Sequence, residues 1–291
     1  MLFPPRPIGV FDSGIGGLSV LQALRQQLPH ERFVYLADSG HAPYGDANTA
    51  ADCALVQQRA RAIAAWLRAR HNIKALVIAC NTATAAAADM LRACMPDLPI
   101  VGVEPALKPA ARLTRTGHVG VLATRATLGS TRFARLLQQQ GSGVQFHLQA
   151  CDGLARAIER GGAAQQRADP DAGTLCVRYA RALGPFGTHN GAIDTLVLGC
   201  THYAFMQPAL RASLGPVLHL LETGAPVARH TQALLRKNGL LADGAEDATA
   251  QASMRFFTTA APDALRCAVQ HWLQIHAPCC AAVAIAPGDA A

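Results

Sequence analysis

Aromatic and charged residues are both scarce in this chain of 291 residues: Phe, Tyr and Trp make up 5% of it and Asp, Glu, Lys and Arg 15%. Without Arg or Lys runs interleaved with aromatic rings, there is no stripe to stack bases and follow a phosphate backbone, which argues against specific nucleic-acid binding. No block of like charge is present, and hydrophobic residues account for 51% of the chain, so a disordered protein is excluded on composition. The apolar runs Ala75 to Cys80 and Thr195 to Cys200 are strand-sized, and no run reaches bilayer-spanning length, so no membrane partner is expected. No C-x-x-C pair occurs among the nine cysteines, and a zinc site needs three or four protein ligands, so no metal is expected. The odd cysteine count and a start, MLFPPRPIGVFDSG, that has no secretory-leader pattern point to a reducing cytoplasm.

What is present reads as α/β. The formal charge of +7 comes from Arg scattered along helical stretches such as Gln58 to Arg70, a distribution better suited to drawing in an anionic substrate. Short apolar runs, each followed by a Gly- or Thr-rich turn and then a helical pattern, recur along the chain as βα units do. Ile8-Gly9-Val10-Phe11 leads into Asp12-Ser13-Gly14-Ile15-Gly16-Gly17, and Leu76-Val77-Ile78-Ala79 into Cys80-Asn81-Thr82. The second half echoes both: Val119-Gly120-Val121-Leu122 precedes Ala123-Thr124, and Leu196-Val197-Leu198-Gly199 precedes Cys200-Thr201-His202. This pseudo-repeat, about one domain length apart, predicts two related α/β units, each with a mostly parallel sheet flanked by helices, facing one another across a cleft.

The expected division is 1–103 plus 223–276 for the first unit and 104–222 for the second. Gly102-Val103-Glu104-Pro105 would carry the chain across and Val217 to Leu221 bring it back. Arg255 to Thr259 and a helix from Pro262 to Gln274 would complete the first unit, 239–251 would be an exposed loop, and 277–291 a disordered tail.

Ligands of open parallel sheets bind beyond the carboxyl ends of the strands, where helix N-termini offer free N–H groups. Cys80 and Cys200 each end an apolar strand and precede small polar residues able to cap a helix, a position that favours the thiolate. Two such thiols on opposite sides of a cleft suit inversion of a carbon centre without a cofactor: one removes a proton while the other supplies one. An ordinary thiol pKa of about 8.5 allows one S⁻ and one SH with modest electrostatic help. Asp12, whose strand should lie beside that of Cys80, and His202, two residues past Cys200, are the proton partners, and Glu159 is a third acid early in the second half. Ser13, Asn81, Thr82, Thr201 and the backbone around Tyr44 and Gly45 supply donors for a substrate carboxylate, with Asp12 or Glu159 as an ammonium partner.

With these residues placed, the chain resembles the glutamate racemases of the aspartate/glutamate racemase superfamily. The resemblance rests on Val10 to Gly17, Pro43-Tyr44-Gly45, Ala79 to Thr82, Gly102 to Ala106, Gly120 to Thr124 and Leu198 to His202, in the family's order across residues 7 to 275. It implies two pseudo-symmetric domains with the active site between them, no cofactor, a homodimer, and D-glutamate as a product for the bacterial cell wall. It also implies that Cys80, with Asp12, acts on the D-enantiomer and Cys200, with His202, on the L-enantiomer. Asp12, Ser13, Pro43, Tyr44, Gly45, Asn81, Thr82, Thr124, Thr201 and His202 would hold substrate. Glu159 matches only through the loose pattern Leu154 to Glu159, and Glu222-Thr223-Gly224 and the Ser39 to Ala42 loop depart from the family.

Plainer readings stand beside these. Cys53, Cys94, Cys151, Cys176 and Cys267 read as small buried hydrophobes, and Asp12 as a cap for a helix starting near Gly16. His202 could be a satisfied core histidine. The spacing of Gly14, Gly16 and Gly17 lacks the third glycine and later acid of a dinucleotide fingerprint. Three other functions remain open: a racemase for aspartate or another small amino acid, a hydrolase using Cys200 and His202 through an acyl-thiol, and a binding protein acting on DNA or a DNA-acting enzyme.

Overall fold

The computed structural model describes residues 6–46, 49–163, 170–215, 218–242 and 254–286. Its described strands are β1 (Ile8–Asp12), β2 (Phe33–Ala37), β3 (Ala75–Ile78), β4 (Ile100–Gly102), β5 (His118–Ala123), β6 (Gln145–Ala150), β7 (Thr195–Leu198), β8 (His219–Leu221), β9 (Arg255–Thr258) and β10 (Cys280–Ala282). They form a six-stranded sheet in the order β10-β9-β2-β1-β3-β4 and a four-stranded sheet in the order β6-β5-β7-β8. Every pairing is parallel, and helices connect the strands, as right-handed βα crossovers require. The expected α/β class with flanked parallel sheets holds.

The order β2-β1-β3-β4 is repeated as β6-β5-β7-β8, so the sequence echo corresponds to a repeated topology. In each copy the order reverses between the first strand and the third, which places a switch point at the ends of β1 and β3 and again at the ends of β5 and β7. Asp12 ends β1 beside β3, with Phe11 opposite Ile78. Cys80 follows β3, Thr124 follows β5 and Cys200 follows β7. Topology alone therefore delivers these four residues to the ligand-binding edges.

Strand alternation divides the six-stranded sheet's core. Ile8, Val10, Tyr35, Val77 and Ala79 face one apolar cluster, which continues into Leu122, Leu196 and Tyr203 of the other half. Phe11, Leu36, Leu76 and Ile78 face a second cluster with Ile63, Leu67 and Leu91. Burial on both faces explains why these strands read as continuous apolar runs. The chain leaves the first sheet after β4 and enters the second at β5; after β8, helix Gly224–Lys237 returns to helix Leu18–Gln27, where Gln27 Nε2 donates to Gln232 Oε1 at 2.9 Å.

Two expectations need correction. The segment after 277 is not a disordered tail: Cys280 to Ala282 pair with β9, Val283 N–H donates to Thr258 O at 2.8 Å, and Ile285 is buried in the second cluster. Alternating Val283 and Ile285 carry a strand period that the surrounding alanines disguise. Residues 287–291 lie outside the described residues, as does 243–251 of the expected exposed loop. Cys53 and Cys94 are exposed rather than buried, because the helices Ala50–His71 and Asn81–Cys94 turn them away from the sheet.

Leu76, with no exposed surface at the centre of β3, tests this core. Leu76→Ala should lower the unfolding free energy by about 3 kcal/mol in urea titrations, and a loss below about 1 kcal/mol would show that the site is not close-packed.

Candidate active site

Cys80 is the N-cap of helix Asn81–Cys94, and its sulfur accepts the N–H of Ala83 at 3.4 Å. The thiol can donate to Ser13 Oγ at 3.8 Å. Despite the helix N-terminus, burial pushes the Cys80 pKa up, and the negative charges of Asp12 and Cys200 push it the same way. The expected thiolate preference does not hold at this position, because desolvation outweighs one capping N–H. Asp12, fully buried, does not cap a helix near Gly16: the helix starts at Leu18, and Asp12 Oδ2 instead gathers the N–H groups of Gly17 at 2.8 Å and Gly14 at 3.3 Å. Burial raises its pKa too, so a proton on this carboxyl is easier to hold than on an exposed Asp.

The second cysteine has different partners. Cys200 precedes a 3₁₀ helix, Thr201–Met206, and no side-chain cap forms there. Its sulfur lies 3.7 Å from His202 Nδ1, while His202 Nε2 lies 2.6 Å from Glu159 Oε1. Burial opposes charge on this imidazole, but the hydrogen bonds to Cys200 and Glu159 outweigh it and the pKa is raised well above 6.5. The arrangement favours charge on the imidazole, held between the Cys200 sulfur and the Glu159 carboxyl group. The core-histidine reading is half right: His202 is 2% exposed, and both ring nitrogens are engaged.

Glu159, the least secure expectation, sits at the centre. Its Oε1 also accepts the N–H of Ile15 from the first half at 2.6 Å. A Cβ on Gly14 would fall inside the Glu159 carboxylate, and one on Gly16 inside the His202 ring. The glycines are required because the two halves meet there at backbone distance.

Polar side chains line the rest of the seam. Thr82 and Thr124, one from each half, hydrogen-bond through their hydroxyls at 3.0 Å, and Thr124 Oγ1 donates to Thr127 Oγ1 at 2.9 Å. Thr82 also donates to the carbonyl of Tyr44 at 3.5 Å, and Gly45 O accepts Ala126 N–H at 3.4 Å. A cavity of about 260 Å³ opens beside Gly45 and Thr82. Asn81 is 3% exposed, and neither polar atom of its side-chain amide has a hydrogen-bond partner among the described residues. A buried amide without partners is costly, and a polar ligand beside Cys80 would satisfy it. Thr201 is buried, and its carbonyl accepts Ser19 Oγ at 3.1 Å. Pro43 introduces the Tyr44-Gly45 turn and offers no donor of its own.

Sequence reasoning missed Asp38 and Arg59. Asp38, unexposed, accepts two hydrogen bonds from the Arg59 guanidinium, at 3.0 and 2.8 Å, and one from Tyr44 OH. Neither residue belongs to a short motif. A buried Asp is visible in sequence only as the residue following β2, a strand that also escaped notice. Among the described residues no group of three or more His, Cys, Asp or Glu is arranged to hold a metal ion, and no helix is long and apolar enough to cross a membrane.

The family model for Asp/Glu/Hydantoin racemase matches residues 8–237. The chain belongs to this family. Within it, the chain is 46% identical over 260 residues to the glutamate racemase of Pseudomonas entomophila, covering 89% of this chain and 91% of that protein. The structure of Escherichia coli glutamate racemase in complex with L-glutamate and the activator UDP-MurNAc-Ala superimposes with a TM-score of 0.80 at 30% identity, covering 97% of this chain and all of the other. That of the Francisella tularensis glutamate racemase in complex with D-glutamate gives 0.76 at 27% identity, with 97% and 98% covered. The racemase-family resemblance and the two-sheet fold read from sequence both stand.

The His202 pair has a defined pH signature. With its folded pKa raised above 6.5, the imidazolium contributes stability that is complete below that value and lost as the pH rises through the raised pKa. Glu159→Gln should lower the His202 pKa in ¹⁵N NMR titrations and destabilise the protein most near pH ~6, the gap narrowing at higher pH. An unchanged His202 titration would remove Glu159 from this role.

Proposed function

We propose that the protein is a cofactor-independent glutamate racemase in which Cys200 and Cys80 exchange protons with opposite faces of the α-carbon. One observation carries this reading: two buried cysteines follow the equivalent strands β3 and β7 of a repeated fold, and their proton partners differ. The Cys200 thiolate, paired with the His202 imidazolium, takes the α-proton of L-glutamate, and the C–H electron pair moves toward the α-carboxylate. The Cys80 thiol delivers its proton to the opposite face, giving D-glutamate, a thiol at Cys200 and a thiolate at Cys80. In the reverse direction Cys80 is the base and Cys200 the acid, with Asp12 and His202 adjusting the protons on each side. Glu159 holds His202 in register as a positioning residue.

The substrate lies between the glycine loop and the threonine seam. Asn81, Thr82, Thr124 and Thr201, with Ser13 and the backbone of Tyr44 and Gly45 behind Pro43, receive its carboxylates. Asp12 faces its ammonium group. The relative and the two solved structures named above are glutamate racemases, and this supports glutamate over aspartate. The two units flanking the site are 1–103 with 223–276, now extended through the C-terminal strand, and 104–222. The product suits bacterial cell-wall synthesis, the protein works in the cytoplasm, and it assembles as a homodimer. A net charge of +7 spread over scattered Arg supports attraction of an anionic substrate rather than grip on DNA.

Incubation with L- or D-glutamate in D₂O tests the mechanism. Solvent deuterium should enter the α-carbon together with inversion, followed by mass spectrometry and circular dichroism. Cys80→Ser and Cys200→Ser should each lower inversion by at least ~10³-fold, with no acyl-thiol adduct at any stage. Inversion at the wild-type rate by either variant would reject the two-base scheme.

A further inference from the structure

Asp38, Arg59 and the C-terminal segment join into one buried chain of hydrogen bonds that ends at the turn expected to receive substrate. Arg59 projects from the helix Ala50–His71 and is 3% exposed. Its Nε donates to Asp38 Oδ2 at 3.0 Å and its Nη2 to Asp38 Oδ1 at 2.8 Å, a two-point fork that fixes the carboxylate plane. Its remaining terminal nitrogen, Nη1, donates to the carbonyl of Ile285 at 2.7 Å. On its other side Asp38 accepts the Tyr44 hydroxyl, Thr259 Oγ1 at 2.8 Å and the His41 ring at 3.1 Å, while its own N–H donates to the carbonyl of Asp12 at 2.9 Å.

We propose that Arg59, braced by the Ile285 carbonyl, is a positioning residue that holds the Tyr44-Gly45 turn and the Asp12 strand end in register for substrate. This rests on the reading that glutamate binds against that turn. The physical argument is one of preorganisation. The Tyr44 hydroxyl is anchored on Asp38, and the backbone meets the seam through contacts of 3.4 to 3.5 Å at Gly45 and Tyr44. Without Arg59 the buried Asp38 carboxylate loses both guanidinium donors in a site with no water-facing surface, and a carboxylate in that condition protonates or turns away. The Tyr44 hydroxyl then loses a fixed acceptor and the turn loses its anchor. The final strand takes part because only its continuation brings a carbonyl to Nη1; Val283 N–H on Thr258 O and the buried Ile285 side chain hold that carbonyl in place.

The test is steady-state kinetics in both directions on full-length Arg59→Ala, Arg59→Lys, Tyr44→Phe and Val283→Pro, with thermal unfolding of each. Wild type must first racemise glutamate; if it does not, the functional reading fails before the positioning one is judged. Given an active wild type, Arg59→Ala and Tyr44→Phe should raise KM about tenfold, the loss of roughly one hydrogen bond to a charged group, while kcat stays within about threefold. Arg59→Lys, which keeps the charge but not the fork, should fall between Arg59→Ala and wild type, and Val283→Pro should reproduce the KM effect from a residue far along the chain. Millimolar guanidinium should lower the KM of Arg59→Ala and leave wild type unchanged. If Arg59→Ala does not fold, Tyr44→Phe decides. An unchanged KM in folded variants, or a loss confined to kcat, overturns the proposal.

Discussion

One carboxylate oxygen holds the two halves of this protein to a common geometry. Oε1 of Glu159 accepts both the backbone N–H of Ile15, from the glycine loop after β1, and the Nε2 hydrogen of His202, from the turn after β7. Donors from the two different halves therefore converge on a single acceptor in a partly buried setting, where an unmet hydrogen bond is costly. Separation of the halves would leave the Glu159–His202 pair intact within the second half but strip the Ile15 N–H of its acceptor. The absence of side chains at Gly14 and Gly16 permits the approach.

From that fixed seam the two cysteines acquire unequal chemistry. The folds that carry them are topological copies, yet Cys80 faces Ser13 and the charge of Asp12, while Cys200 faces a histidine already polarised by Glu159. The repeat supplies geometric opposition and the local partners break its chemical symmetry. In the proposed two-cysteine reaction one sulfur must hold a proton while the other lacks it, and unequal partners decide which of the two does so before substrate arrives.

Much of this was legible in the sequence because the strands at the switch points are buried on both faces and read as uninterrupted apolar runs. β1, β3, β5 and β7 are of this kind: β1 ends in Asp12, and the others lead within two residues into Cys80, Thr124 and Cys200. β6 was not visible: as an edge strand with the sequence QFHLQA and mostly partial burial, it carries no apolar run. β10 hid among alanines. Local pattern reached Cys80, Cys200, Asp12 and His202, since each lies next to a strand end in a recognisable turn. It reached Glu159 only weakly and Arg59 not at all, because what matters about these residues is contacts made between different elements, 21 to 226 positions apart along the chain, to which no local periodicity responds. The helix-terminus argument misjudged the Cys80 thiol for a related reason: spacing reports the capping N–H but not how thoroughly water is excluded.

The parallel pairing of β2 with β9 and of β9 with β10 also sets an order of events during synthesis. Everything needed for the four-stranded sheet leaves the ribosome as one contiguous stretch, whereas the six-stranded sheet waits with an open edge at β2 until the last strands emerge. During that interval the apolar flank of β2 is bare and the nascent chain is vulnerable to wrong partners. Arg59 Nη1 likewise has no carbonyl to meet until Ile285 has emerged, so the turn proposed to receive substrate becomes rigid only after β10 is in place.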